Sequence, residues 1–459
     1  MILNILGFNP DIVLLVFYAW LDRYDVSGLD VAYSNHIKRP LFLKLLSSPC
    51  GNSNWVFQKS FKDDFLLEWL ARRRVAIHQL KLVNIGSESD FASFPHYCNS
   101  LRIVKFNNLK QLRDEHIEVL LATCGSIIQS VSIVRCAHIT LSSVNAILAK
   151  SHKSLKTLHI ESIHISAGRI DTTTQTSIQQ LCVRDKSTLR GTNLQFLSSI
   201  FSICPMLHNL HMGLLLTSGY VHEYSWLDVL STHCVHMQEL TLDYIAMNNI
   251  LCTLLPTKLP HLLTLNIPTS RKLSSISIAD YVNLGQFGHL QKLVTGGQVA
   301  NTQMLTALCT SAQSSLVHME VLAAGGVTSE VLHTLAMMCP LLHTLIMHRA
   351  DVDDEGVGCV LRDCRKLRVL HLPYCTNLTK RSLEHVIKLG YNIEDLDLFI
   401  PNNPYQLGDL GNGAFSPADI RALITEGVCK KLVKLNVGDM ALNDLFIALM
   451  WKSRNTGVL

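Results

Sequence analysis

The sequence contains few charged residues and lacks long uninterrupted apolar runs. Asp, Glu, Lys and Arg together make up 17% of the 459 residues, and the formal net charge is only +4. Bulk charge therefore predicts no binding to nucleic acid or to a membrane surface. None of the apolar runs reaches the ~18 residues that a membrane-spanning helix needs. Apolar residues nevertheless form 48% of the chain, which is enough for a large core and excludes global disorder.

Several motifs of catalytic and metal-binding proteins are also missing. The sequence has no phosphate-binding Walker loop, no GxGxxG, no HExxH, no GxSxG and no paired CxxC. We therefore expect no enzyme activity, no cofactor and no metal site. The N-terminus lacks a basic leader and a small-residue cleavage site, and the 14 cysteines are spread over a long chain. These features predict reduced thiols and a cytoplasmic or nuclear location.

What the sequence does contain is an internal repeat. A six-residue pattern recurs fourteen times, with an apolar residue at its first position, a Leu-like residue at its fourth and, except for Thr295, an apolar residue at its sixth. Four consecutive steps from Leu290 to Ile393 measure 26, 26, 25 and 26 residues, whereas the final step of 39 contains an insertion near 399–431. The copies begin at Ile77, Leu101, Ile128, Leu155, Ile178, Leu207, Met237, Leu262, Leu290, Leu316, Leu342, Leu367, Ile393 and Leu432.

This period and pattern are typical of a leucine-rich repeat. We expect each hexamer to form a short strand, and the copies to stack because one repeat cannot bury its apolar edge alone. The second half of several repeats has apolar residues at helical spacing after a Thr or Asp, which predicts capped helices on the convex side. The predicted fold class is therefore α/β, a leucine-rich-repeat solenoid with a curved parallel sheet over residues 77–459. The predicted helices are Leu112–Cys124, Ile139–Lys150, Val327–Cys339, Val352–Cys364 and Leu378–Leu389.

The cysteines follow the repeat period rather than forming a cluster. Six of them lie three residues before a hexamer, which predicts small buried groups rather than metal ligands or nucleophiles. This placement resembles the cysteine-containing subclass of leucine-rich repeats, which is found in F-box proteins and in Amn-type mitotic regulators. The acidic run at 353–355 is likewise interpreted as first-turn carboxylates of a helix rather than as a metal cluster. The six cysteines are Cys98, Cys204, Cys234, Cys339, Cys364 and Cys429.

Residues 1–46 precede the repeats and resemble a divergent F-box, a short three-helix module. The resemblance rests on Pro10 near the start, on an apolar stretch that ends at Phe17, and on Leu21 in the next turn. It implies docking to the Skp adaptor and the cullin of an SCF-type ubiquitin ligase. The family's usual Trp is absent from 34–36, so a second interpretation stays open, in which the module only caps the solenoid. The resemblance implies that the adaptor-binding residues are Pro10, Leu14, Leu15, Phe17 and Leu21.

Residues 47–76 connect this module to the repeats. The segment 47–60 is rich in Ser, Asn and Gly and is interpreted as a linker. Residues 61–74 have an amphipathic pattern, which predicts a capping helix that leads into the first hexamer strand.

The fifth residue of each hexamer should face away from the core, because side chains alternate along a strand. The residues at this position are basic in the first repeats and mixed in charge later, which suits recognition of a folded protein better than a small-molecule pocket. A target protein is therefore expected on the concave face, either as a ligase substrate or as the partner of a non-catalytic scaffold. The 399–431 insertion is either a specificity loop or a tolerated insertion. The expected target-binding residues are His159, His211, Thr241, Asn266, Glu320, His371 and Asp397.

Overall fold

Each of the fourteen hexamers forms a β-strand in the same register. In every copy the strand begins at the third residue of the hexamer, and the fourth residue is buried in all copies but the last. These elements come from a computed structural model, and they confirm the predicted α/β repeat fold. The structure describes residues 39–40, 42, 54–58, 72, 77–84, 91, 94, 98–163, 170–171, 174–188, 193–215, 225–243, 246–247, 249–268, 271–272, 278–296, 300–399, 422–423 and 430–436.

The first compact unit, Met1–His236, contains parallel strands that pair in chain order. Leu80 is the register partner of Val104, and the same row continues to Leu158 and Leu210. One row of buried aliphatic residues therefore runs through the unit beneath the sheet. The described strands are β1 (Asn54–Gln58), β2 (Gln79–Val83), β3 (Ile103–Asn107), β4 (Ser130–Val134), β5 (Thr157–Glu161), β6 (Gln180–Thr188) and β7 (Asn209–Leu215).

Strand β1 lies within the segment that we interpreted as a linker. Its register places Trp55 beside Leu80 and Phe57 beside Leu82. The hexamer pattern does not predict this strand, because alternating aromatic residues replace the aliphatic residues of the hexamer. Within the described residues, the sheet therefore includes one strand before the first recognisable repeat.

The second unit, Met237–Leu459, repeats the same arrangement. Leu345 is the register partner of Met319 and Leu370, and all three are buried. The short strands β9 (Ala246–Met247) and β11 (Arg271–Lys272) pair with each other outside the main sheet. The main strands are β8 (Glu239–Asp243), β10 (Thr264–Ile267), β12 (Lys292–Gly296), β13 (His318–Leu322), β14 (Thr344–Met347), β15 (Val369–His371), β16 (Asp395–Asp397) and β17 (Lys434–Asn436).

Helices connect many of the strands and pack against one another in chain order. All five predicted helices are present, and each begins two residues after the predicted start because a capping residue precedes it. Thr140, Asp353 and Thr379 accept a backbone N–H through their side chains at three of these starts. The described helices are α1 (Asp114–Cys124), α2 (Leu141–Ser151), α3 (Asn193–Ser202), α4 (Ser225–His233), α5 (Asn249–Lys258), α6 (Ile278–Leu284), α7 (Thr302–Ala312), α8 (Ser329–Met338), α9 (Asp354–Asp363) and α10 (Lys380–Leu389).

The helix starts are hydrogen-bonded from one repeat to the next. Asp114, the first residue of α1, accepts from the Thr140 N–H at 2.9 Å, from the Thr140 hydroxyl at 2.6 Å and from the Ser143 hydroxyl. The acidic run at 353–355 takes part in the same hydrogen bonds between helix starts. Its interpretation as helix-start carboxylates is therefore confirmed. In α1, α7, α8 and α9 the first residue thus binds the start of the next helix. Equivalent bonds link Thr328 to Thr302, Asp353 to Ser329, and Thr379 and Ser382 to Asp354.

The eighth residue counted from the start of the hexamer lies just after the strand and has a left-handed backbone in seven repeats, although none of the seven is glycine. The φ angle is +53° at Arg135 and +63° at Tyr374. In six of the seven, the N–H of this residue donates to a carbonyl of the next repeat, as from Arg135 to Glu161 at 2.8 Å. The bond offsets a backbone cost of roughly 1–2 kcal/mol. The seven are Asn84, Asn108, Arg135, Ser162, Ala323, Arg349 and Tyr374.

Several predictions concern residues outside the described part of the chain. They include most of the F-box-like module at 1–46, with Pro10, Leu14, Leu15, Phe17 and Leu21, most of the capping helix at 61–74, and most of the insertion at 399–431. Among the helices that the structure describes, none combines the length and apolarity needed to cross a bilayer.

Candidate functional site

The fifth residues of the hexamers form a continuous row in each unit. In the first unit His159 and His211 are both half-buried and are separated only by Cys182 of β6. In the second unit Thr241 lies beside Asn266, and His371 lies beside Asp397. The predicted target-binding residues therefore occupy the row positions assigned to them. The rows are Lys81, Lys105, Ser132, His159, Cys182 and His211 in the first unit, and Thr241, Asn266, Val294, Glu320, Ile346, His371, Asp397 and Asn436 in the second.

His159 is the centre of a polar group on the first unit. Its Nδ1 lies 3.2 Å from the Ser132 hydroxyl, and its Nε2 lies 3.6 Å from Oε2 of Glu161. Burial lowers the pKa of His159, and the nearby Arg184 and His211 act in the same direction against the attraction of Glu161. His159 is therefore a neutral hydrogen-bonding group at neutral pH.

Glu161 is a buried carboxylate that sequence reasoning missed. Its Oε2 lies 3.4 Å from Nη1 of Arg184, and its Oε1 lies 3.9 Å from Nε of Arg135. The register places Gly213 beside Arg184, and a Cβ at Gly213 would lie 3.1 Å from Cγ of Arg184. The absence of that Cβ leaves room for the arginine side chain. Their position in the sequence could have indicated this pairing. Glu161 and Arg184 both come two residues after the fifth hexamer residue, and residues two apart on a strand point to the same face.

Lys81 and Lys105 lie beside each other in the same row. They are register partners in β2 and β3; Lys105 is exposed and Lys81 is half-buried. Neighbouring strands are separated by only about 4.8 Å. Among the described residues no carboxylate forms an ion pair with either lysine. Two like charges therefore stand side by side at this end of the sheet.

The second unit carries histidine–carboxylate pairs on the same face. His318 Nε2 lies 3.6 Å from Oε2 of Glu320. Burial lowers the pKa of His318 and the nearby Lys292 adds to this effect, although Glu320 opposes it. The pair therefore consists of a neutral imidazole beside a carboxylate at neutral pH.

Asp395 is paired with side chains from both neighbouring strands. His371 Nε2 lies 2.8 Å from its Oδ1, and Lys434 Nζ lies 3.2 Å from its Oδ2. Burial works against ionisation of Asp395, but the hydrogen bonds from His371 and Lys434 outweigh it and lower the pKa of Asp395. Asp397 accepts from Asn436 Nδ2 at 3.1 Å. Two predicted residues, His371 and Asp397, are therefore held in place by partners from neighbouring strands.

An aromatic and basic group lies at the strand ends of the second unit. The guanidinium carbon of Arg349 lies 5.5 Å from the centre of the Tyr374 ring, and that ring meets Phe399 edge-on at 5.2 Å. Tyr374 is 39% exposed. Arg349 and Tyr374 both occupy the left-handed positions described above, so the backbone directs them to one edge of the sheet.

The five repeat cysteines that the structure describes are buried in the core. Cys234 Sγ donates to the carbonyl of Cys204 at 3.4 Å, and Cys364 Sγ donates to the carbonyl of Cys339 at 3.5 Å. Burial raises the pKa of both Cys234 and Cys364 to about 12, so these thiols stay protonated. Within the described residues, no three His, Cys, Asp or Glu side chains assemble into a group that could hold a metal ion.

A cavity of about 480 Å³ lies at the C-terminal ends of α9 and α10. Its lining includes Leu361, Leu389 and Ile393 together with Arg362 and Arg365, and none of the row residues contributes to it. The cavity and the sheet-face rows are therefore separate features.

Comparison with known proteins gives structural likeness only. No family model and no curated protein sequence matches this chain. An internalin (InlF) from Listeria monocytogenes is 14% identical, covering 81% of this chain and 89% of that one with a TM-score of 0.40. The Rad7 and Elc1 complex from yeast contains a chain that is 13% identical, covering 86% of this chain and 87% of that one with a TM-score of 0.43. The assignment of the repeat fold rests on the register of the chain's own strands.

Proposed function

We propose that this chain is the substrate-recognition subunit of an SCF-type ubiquitin ligase and that it binds a target protein on the sheet face. The observation that carries the proposal is the row of polar residues held in register across consecutive strands. In the second unit the row crosses eight strands, from Thr241 to Asn436, which corresponds to about 34 Å at the usual strand spacing. A surface of this length matches a macromolecule rather than a small ligand.

The rigidity of this surface also favours binding. His371 is fixed by Asp395 at 2.8 Å, and Asp397 accepts from Asn436 and from the Phe399 N–H. Side chains that are already ordered lose less conformational entropy when a partner arrives. The left-handed strand ends and the helix-start hydrogen bonds fix the backbone from which these residues project.

The ligase part of the proposal rests on the N-terminal segment. Pro10, Leu14, Leu15, Phe17 and Leu21 resemble the adaptor-binding part of an F-box, whose partners are the Skp adaptor and the cullin. The chain would contribute no catalytic residue and would instead hold a target lysine near the ubiquitin-carrying enzyme, so that reaction is promoted by proximity. We place this complex in the cytoplasm or the nucleus.

The alternative function is a non-catalytic interaction scaffold whose N-terminal module only caps the repeats. The observation that favours it is the absence of the F-box Trp, since Ser34, Asn35 and His36 occupy that stretch. Both functions use the sheet face, so they differ only in adaptor binding.

Co-purification with the Skp adaptor and cullin tests the ligase function. The wild-type chain should retain both, whereas Leu14→Asp and Phe17→Asp should each lose them. Val235→Asp is the matched control, because Val235 is 68% exposed and its substitution should leave adaptor binding intact. Failure of the wild-type chain to bind the adaptor would reject the ligase function in favour of the scaffold.

Proximity labelling in cells tests the role of the sheet face. Proteins labelled by the wild-type chain should be lost when His371→Ala and Asp397→Ala are combined, while adaptor binding persists. An unchanged set of labelled proteins would place the target surface elsewhere.

A further inference from the structure

The sheet face of the first unit carries an excess of positive charge. Lys81 and Lys105 are adjacent, and Arg135 and Arg184 lie further along the same face. The only carboxylate among the described face residues of this unit is Glu161, and it is buried between the two arginines. Neither lysine pairs with it. The lysine end of the face is therefore electrostatically unsatisfied within the described part of the chain.

Among the residues that the structure describes, nothing explains the lysine pair structurally. Like charges that face each other on neighbouring strands destabilise a sheet. The first, fourth and sixth positions of the hexamer supply the buried side chains, so the fifth position of either strand accepts a neutral residue such as Ser132 of β4 without loss of packing. A repulsive pair at a position that tolerates neutral residues indicates selection for binding rather than for stability.

We propose that the sheet face of the first unit binds an acidic segment of the target protein, rich in Asp and Glu, with Lys81 and Lys105 as the main charge contacts. This inference rests on the proposed function, because it specifies the chemistry of part of the target. From β2 to β6 the four cationic side chains span four strand spacings, or about 19 Å. An extended peptide of roughly six residues covers this distance.

The distribution of the cations favours carboxylates over phosphates. A phosphate is bound best where several guanidinium groups converge on one point. Arg135 and Arg184 instead converge on the carboxylate of Glu161, so their guanidinium groups are already engaged by an anion of the chain itself. The lysines lie apart from them and offer single charges. Single charges spread along a row match the single negative charges of an acidic peptide.

The same face lacks the side chains that usually bind nucleic acid. Single-stranded nucleic acid is normally held by aromatic rings that stack on the bases. Among the described face residues of β2 to β7, none is Phe, Tyr or Trp. Histidines are present, but burial lowers the pKa of His159, so this ring adds no charge for phosphate binding at neutral pH.

Fluorescence anisotropy with the full-length chain tests the proposal. The probe is a fluorescein-labelled peptide rich in Glu and Ser, and its matched control carries Gln in place of every Glu. The acidic peptide should bind at physiological salt and weaken as salt rises, and the Gln peptide should not bind. The double variant Lys81→Glu with Lys105→Glu should weaken binding about tenfold or more. Lys153→Glu, at an exposed lysine outside the strands, should leave binding unchanged.

Two further titrations test whether the face prefers an anion other than an acidic peptide. A phosphoserine version of the peptide and a single-stranded oligonucleotide of equal charge are titrated in parallel. Preferential binding of either one, no binding of the acidic peptide, or equal binding by the double variant would overturn the proposal. Adaptor co-purification is measured on the same variants and should be unchanged. If the wild-type chain binds the adaptor but not the acidic peptide, this inference fails and the ligase function stands. If it binds the peptide but not the adaptor, the ligase function fails and this inference stands.

Discussion

Asp354 accepts two hydrogen bonds from Thr379 across the boundary between two repeats, one from the backbone N–H at 2.8 Å and one from the hydroxyl at 2.6 Å. It also accepts from the N–H and the hydroxyl of Ser382. One carboxylate at the start of α9 therefore holds the start of α10. The same contacts recur at Asp114, Thr140 and Ser143 in the first unit.

Replacing this carboxylate should destabilise the second unit. Asp354→Asn exchanges one acceptor oxygen for an NH₂ group that faces donors, so we expect the free energy of unfolding to fall by about 1–3 kcal/mol. Urea denaturation followed by circular dichroism measures the change. Asp363→Asn is the control, because Asp363 is exposed on the same helix, and it should change stability by less than about 0.5 kcal/mol. Equal effects of the two substitutions would contradict the role of Asp354.

The same carboxylates should make stability depend on acid. Burial raises the pKa of Asp114 and Asp354, but hydrogen bonds from Ser and Thr outweigh burial, so the pKa of each lies below its usual value. A depressed pKa in the folded state contributes stability above the unfolded pKa, near 3.9, and the contribution disappears as pH falls through the folded pKa. The difference between wild type and Asp354→Asn should therefore be full at pH 6 and shrink below about pH 4. A difference that grows on acidification would reverse the assigned sign.

A charge at the inward position of a strand should prevent stacking. Leu370 is buried between its register partners Leu345 and Leu396. We expect Leu370→Asp to cost more than about 4 kcal/mol, because it buries an unpaired carboxylate. Thermal melting compares it with Val433→Asp, in which the replaced valine is 57% exposed. An unchanged melting temperature in Leu370→Asp would mean that the strand register is wrong.

The left-handed strand ends predict opposite effects for one substitution at two sites. Ala323 is exposed and has a φ of +55°, so Ala323→Gly should raise the free energy of unfolding by about 0.5–1 kcal/mol. Ala122 is exposed within α1, and Ala122→Gly should lower it by about 1 kcal/mol. Denaturant titration of both variants checks the signs. Destabilisation by Ala323→Gly would show that the backbone there is not left-handed.

The strands were predictable because burial is encoded locally in this fold. Every hexamer specifies an inward residue such as Leu80 or Leu345. Because the pattern recurs at a regular spacing, each copy supports the assignment of the others as strands. The fifth-position row followed from strand alternation alone. Strand β1 was not predicted, because Trp55 and Phe57 stand in place of the aliphatic residues of the hexamer.

The pairings on the face were less accessible, because they join residues from different repeats. Glu161 meets Arg184 only after two strands are aligned, 23 positions apart in the chain. Asp354 reaches donors 25 and 28 positions away, so its sequence context indicated only a helix start. The left-handed backbone at Arg135 and Tyr374 could not be predicted from the sequence, because neither position is a glycine. Such features depend on the geometry of stacking rather than on composition.

Strands β16 and β17 pair directly even though their partners are 39 positions apart, as in the hydrogen bond from Asn436 to Asp397. Other steps in this unit require only about 26 positions. Strand pairing at this junction is therefore independent of the number of residues between the two strands. We expect the junction to accept an inserted epitope or linker, because the strands on either side of it would keep their pairing.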